Sequence, residues 1–107
     1  WSPENRSQLV RIPAADGEYR RAELRSPDPL CNPYIAFALM IRASLDGIER
    51  GLKLPEAADV NLFTSPDSVT GKYKALPKNL CEAADTARSS DFIAKCLPES
   101  VIKAYLR

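Results

Sequence analysis

The segment "NPYIAFALMIRASLDGIERG", residues 32–51, constrains this chain more than any other. From Tyr34 to Ile41 it is apolar on every side of a helix, and only from Arg42 to Arg50 does it become amphipathic. A helix that is apolar all round has to be covered all round. Asn32 suits the cap, Pro33 the first helical position and Gly51 the stop. The pattern predicts a buried helix over about residues 33–50. A chain of 107 residues holds one small domain at most. Its remaining elements are too few to surround such a helix. The expectation is that covering partners lie elsewhere, in a longer chain or in other subunits. An opening without methionine, "WSPENRSQ", points the same way and carries no signal peptide.

Ahead of the helix, "SQLVRIP" reads as a strand that Pro13 stops, and "RAELRS" as a second. Asp16 and Gly17 between them carry a turn signal. An antiparallel pair over about 7–13 and 20–26 is predicted. Pro27, Pro29 and Pro33 stiffen the connector into the helix. Residues 53–78 lack periodicity and are punctuated by Pro55, Pro66, Gly71 and Pro77, a long loop of the kind that carries function or crosses an interface. Asn79 with Glu82 forms a capping pair for a helix whose face is Leu80, Ala83, Ala84 and Ala87. Ser90 caps a short helix ending near Cys96. Pro98 opens another, striped by Val101, Ile102 and Tyr105. The fold class is α+β: a strand pair, a buried helix, a proline-containing loop and short C-terminal helices.

Composition excludes several classes of chemistry. There is no histidine, so Ser-His-Asp and Cys-His nucleophilic systems and histidine metal sites are impossible within the chain. Cys31, Cys81 and Cys96 are sparse, odd in number and form no C-x-x-C, which argues for a reducing, cytoplasmic setting. Each reads as a small buried hydrophobe. A net charge of +1 gives no bulk attraction to nucleic acid or to an anionic membrane. No apolar run reaches the roughly 18 residues needed to span a bilayer.

Charge is nonetheless unevenly placed. The first 25 residues hold Arg6, Arg11, Arg20, Arg21 and Arg25 and no lysine. Alternation along the second strand sets Arg21, Glu23 and Arg25 on one face and Ala22 and Leu24 on the other. Two readings stand side by side. Such a face can be a solvated strand surface, where ion pairs contribute little. It can also be a site, because arginine's rigid fork grips carboxylates and phosphates bidentately where lysine would solubilise equally well.

The motifs N-R-S at 5–7, R-I-P at 11–13, R-x-E-x-R-x-P-D-P at 21–29 and N-P-Y at 32–34, leading to a helix ending L-D-G-I, resemble the C-terminal part of the catalytic domain of glutamine synthetases. The likeness is specific over residues 5–52 and looser over 53–107. It implies that residues 1–107 form one incomplete domain of an enzyme that joins ammonia to glutamate using ATP, through a γ-glutamyl phosphate. It implies ATP with Mg2+ or Mn2+ as cofactors, and a ring-type homo-oligomer, a dodecamer. Carried over residue by residue, Arg6 is catalytic and, with Arg11 and Arg21, binds the nucleotide phosphates. Glu23 is a metal ligand, and Arg25 contacts the substrate glutamate. Alternate residues lie about 6.6 Å apart along a strand, a fair spacing for phosphate, cation and carboxylate in a row.

Departures from the family pattern are few. In "NLF", Phe63 stands where many bacterial members carry a tyrosine that is adenylylated to lower activity. Leu30 and Cys31 replace smaller residues. The family's other metal ligands, including glutamates and a histidine, belong upstream, as does the domain that completes the site from a neighbouring subunit. The isolated chain is therefore expected to be inactive. Two alternatives remain open here: a related γ-glutamyl–amine (polyamine) ligase, and a non-catalytic anion-binding module.

Overall fold

The structure is a computed structural model that describes residues 1–106. It is α+β, with two short strands and five α-helices among those residues. They divide into two compact units, one of residues 1–32 and 52–73, the other of 33–51 and 74–107.

The first unit contains the strand pair. β1 (Val10–Arg11) runs antiparallel to β2 (Glu23–Leu24), with Val10 opposite Leu24 and Arg11 opposite Glu23. The strands are shorter than the predicted 7–13 and 20–26. Pro13 has no N–H to extend the ladder, and Ile12 donates its own to Ser2 instead (3.0 Å). Arg25 adds one further bond, donating to the Leu9 carbonyl (2.9 Å). Gly17 enters the connection at φ +60°, a conformation L side chains rarely adopt, and starts a 3-10 turn over Gly17–Tyr19. The long loop is not wholly irregular, for α2 (Asp67–Thr70) forms within it, and Gly71 closes its turn by donating to the Asp67 carbonyl. One turn is too short to register as periodicity. Ser2, Gln8, Pro13 and Ala58 are the buried residues of this unit. Two of them are polar, so hydrogen bonding organises it as much as apolar packing does.

The second unit is helical: α1 (Pro33–Glu49), α3 (Leu80–Arg88), α4 (Asp91–Cys96) and α5 (Glu99–Tyr105). α1 has the predicted bounds and stops at Gly51, φ +58°. The expected burial is absent, because none of its residues is buried. Tyr34, Phe37, Ile41, Leu45 and Ile48 line one exposed face, with Ile48 75% and Tyr34 84% exposed. The opposite face, with Ile35 and Leu39 half-buried, joins Ile93, Leu97, Val101 and Ile102 around an apolar hollow of about 150 Å³. Asn79 accepts from the Glu82 N–H (2.9 Å), and Glu82 in return accepts from the Lys78 N–H (2.9 Å), capping α3 as expected. Ser90 likewise accepts from the Ile93 N–H (3.3 Å) at α4. Two expectations need correcting. Leu80 does not join the α3 face but lies 84% exposed, at the first position of the helix. Cys81 is exposed, whereas Cys31 and Cys96 are half-buried, and all three are free thiols. Among the described residues no helix is long and apolar enough to cross a membrane.

Candidate functional site

The pairing of β1 with β2 decides what Glu23 meets. Arg11 lies directly across the ladder from it, and directly opposed side chains on one face of an antiparallel pair approach closely. The Arg11 guanidinium donates from Nη1 to both carboxylate oxygens of Glu23 (3.1 and 3.0 Å). Arg21, two residues earlier on the same face, donates from Nε to Oε1 (3.1 Å) and brings Nη2 to the same oxygen (3.1 Å). Arg25, two residues later, places Nη1 3.9 Å from Oε2. One carboxylate is therefore ringed by three guanidiniums, and the alternation of Arg21, Glu23 and Arg25 through β2 and its flanks is a converging cluster rather than a row of separate surface charges.

This surrounding fixes the charge of Glu23. Hydrogen bonds and the positive charge of Arg11 and Arg21 hold its carboxyl below the usual carboxylate range, Arg11 contributing most, against a smaller opposing effect of desolvation. The two oxygens are not equally committed. Oε1 receives donors from Arg11 and Arg21, filling its lone pairs. Oε2 accepts only from Arg11 within hydrogen-bond distance and retains room for another ligand.

The four predicted arginines are differently available. Arg11 is the most enclosed, its side chain 14% exposed, and it also donates from Nε to the Glu4 carbonyl (3.3 Å). Arg21 and Arg25 are 53% and 37% exposed. Arg25 donates from Nε to the backbone oxygen of Arg6 (3.1 Å), which brings the N-R-S segment to the cluster. The Arg6 side chain is exposed and its guanidinium makes no hydrogen bond or ion pair among the described residues. All five predicted residues thus gather in one place, Arg6 through its backbone. Glu4 was not foreseen, because nothing in its spacing marks it as reaching Arg11 across seven residues. Also missed were the side chains of Asn5 and Gln8, which tie this segment to Val60, and of Ser7, which ties it to Leu62, each more than 50 residues away.

A divalent cation is a separate matter. Among the described residues no three His, Cys, Asp or Glu side chains converge on a point that could hold one. Magnesium demands near-octahedral oxygen ligation, and Glu23 offers one carboxylate already ringed by cations. The residues of this chain do not by themselves fit a resident metal.

The family model described as "Glutamine synthetase, catalytic domain" matches residues 1–107. The chain belongs to the glutamine synthetase family. Over 108 residues it is 46% identical to a glutamine synthetase of Methanosarcina mazei, covering 99% of this chain and 24% of that protein. A glutamine synthetase of Thermus thermophilus is 43% identical over 109 residues, 100% of this chain and 24% of that protein. One of Methanocaldococcus jannaschii is 37% identical, with 99% and 24% covered. The chain spans about a quarter of the length of these glutamine synthetases, and the matching quarter is their C-terminal portion.

Proposed function

We propose that this chain is the part of an ATP-dependent glutamate–ammonia ligase that gathers nucleotide phosphate, cation and substrate carboxylate. The observation that carries this reading is the carboxylate of Glu23 held among Arg11, Arg21 and Arg25, with Arg6 open beside them. Phosphoryl transfer asks a protein mainly for positioning and for positive charge where phosphate oxygens accumulate negative charge. Arg6, with its guanidinium free, is the residue on which the transferred phosphoryl group rests. Arg21 and Arg11 add charge on the nucleotide side. Arg25 has its Nε anchored on the Arg6 carbonyl while its side chain stays 37% exposed, a fork for the carboxylate of glutamate. Glu23 supplies one oxygen, Oε2, to a cation whose other ligands lie outside residues 1–107. Three guanidiniums around that carboxylate disfavour a lone cation, so cation and phosphate are expected to bind together. Phe63 has no hydroxyl, so this protein is not regulated by tyrosine adenylylation at that position. Ring-type assembly and a cytoplasmic location belong to the same reading.

Steady-state kinetics of the full-length enzyme test it. Arg25→Lys is expected to raise the KM for glutamate about tenfold, the value of one or two charge-assisted hydrogen bonds, and to leave the KM for ATP nearly unchanged. Arg6→Lys is expected to raise the KM for ATP and lower kcat. If the cluster is only solvated surface, each swap shifts stability by about 0.5 kcal/mol or less and neither KM. A panel of amines in place of ammonia separates this activity from polyamine ligation.

A further inference from the structure

Arg6 has no regular structure to hold it. It lies between β1 and the chain start, where neither strand nor helix fixes the backbone. Its neighbours are held by something else. Asn5 donates from Nδ2 to the Val60 carbonyl (2.6 Å), and Gln8 donates from Nε2 to the same oxygen (2.9 Å). The Ser7 hydroxyl has one proton to give. It lies 2.8 Å from Asn5 Oδ1 and 3.4 Å from the Val60 carbonyl, so the proton goes to Asn5. The same hydroxyl accepts from the Leu62 N–H (3.0 Å), and Asn5 Oδ1 also accepts from the Ser7 N–H (2.9 Å). Upstream, the Ser2 hydroxyl accepts from the Asn5 N–H (3.2 Å) and donates to Asp59 (3.3 Å). Gln8 is 5% exposed and Ser2 fully buried.

We propose that Asn5, Ser7 and Gln8 are positioning residues for Arg6, locking the segment that carries it onto the backbone of residues 60–62. The inference rests on the reading above that Arg6 meets the phosphates. The geometry is that of a clamp with one free jaw: the side chains of residues 5, 7 and 8 are each hydrogen-bonded, and that of residue 6 is exposed and makes no bond among the described residues. The clamp reaches Arg25 as well, since the Arg6 carbonyl is the acceptor that holds Arg25 Nε. Loss of the Ser7 hydroxyl leaves the half-buried Leu62 N–H unpaired, and loss of the Gln8 amide removes one of two donors on the Val60 carbonyl. Either change lets Arg6 drift, and misplacement of a catalytic group by about 1 Å costs up to about 100-fold.

The test uses the full-length enzyme carrying Ser7→Ala, Ser7→Thr or Gln8→Met, alone and combined with Arg6→Lys. Thermal melting, steady-state kinetics and ATP affinity by calorimetry are the readouts. Ser7→Ala is expected to lower kcat/KM for ATP about tenfold and to weaken ATP binding. Ser7→Thr, which keeps the hydroxyl, is expected to restore most of both. The loss from Ser7→Ala is expected to shrink in the Arg6→Lys background, because residues that act through one another are not additive. If Ser7→Ala does not fold, Gln8→Met is read in the same way. Impaired Arg6→Lys together with silent or fully additive Ser7→Ala and Gln8→Met overturns the positioning role alone. An Arg6→Lys enzyme with unchanged ATP kinetics overturns the functional reading, and the positioning role with it.

Discussion

Glu23 sits where three arginines converge, and its chemistry follows from that. Glu23→Gln keeps the shape and removes the charge. A hard cation binds an amide oxygen far less well than a carboxylate. In the full-length enzyme the magnesium concentration for half-maximal turnover is expected to rise at least tenfold, since even outer partners of a metal ligand are worth about that much. A magnesium titration with unchanged midpoint and rate would remove Glu23 from the ligand set. The same residue sets a pH dependence. Its carboxyl is held below the ordinary carboxylate range by Arg11 and Arg21. The stability this lends is fully present above the ordinary value of about 4.3, and is lost as pH falls through the lowered value in the folded state. The stability gap between wild type and Glu23→Gln is therefore expected to be constant near neutrality and to close in acid, as followed by denaturant unfolding at a series of pH values. That Arg21, Glu23 and Arg25 share one face was legible in the alternation, whereas Arg6 and Arg11 entered only with the resemblance to the family. That Arg11 faces Glu23 across the ladder, and that Oε2 alone stays open, were not legible. Both depend on the register of pairing, which local sequence does not state.

At the scale of elements, the legible parts are those whose signal is local. α1 was readable from Pro33 to Glu49 because Pro33, the apolar run and Gly51 act within a few residues of one another. The caps at Asn79 and Ser90 were readable for the same reason. The strands were drawn too long because alternation marks what can pair, whereas the ladder ends where a partner does. Helix α2 and the clamp of Asn5 and Gln8 on Val60 and of Ser7 on Leu62 were illegible, one for its single turn and the other for its sequence separation. The local devices carry measurable weight. Asn79→Ala removes an acceptor from the first turn of α3, and loss of such a cap costs about 1 kcal/mol. Gly51→Ala is expected to cost about 1 kcal/mol as well. A Cβ there would meet nothing within 4 Å, so the cost is purely that of the backbone at φ +58°. Denaturant unfolding of the full-length protein checks both. A stability unchanged by Gly51→Ala would mean that the α1 stop is not held in this conformation.

For the molecule as a whole, the decisive quantity is what stays uncovered. Ala58 is the one buried residue among the large and small hydrophobic side chains described. A small domain normally stands on an apolar core, and with so little burial its conformational entropy is not offset. The stripe of Tyr34, Phe37, Ile41, Leu45 and Ile48 is a contiguous apolar face of the kind that marks a contact surface. The relatives extend for about three further quarters of their length beyond the matched part, enough polypeptide to cover it. The same shortfall holds for the chemistry, since one carboxylate and no histidine do not complete a cation site. Both deficits lead to one expectation for the isolated 107-residue chain. It should form no glutamine from ATP, glutamate and ammonia, and it should bind a hydrophobic dye strongly. Co-expression with the remainder of the full-length polypeptide should suppress dye binding, and replacing Ile41 and Ile48 together by glutamate should abolish that suppression. Glutamine formation by the purified chain alone would show that residues 1–107 hold a complete site. Weak dye binding by the chain alone would show that the α1 stripe is already covered.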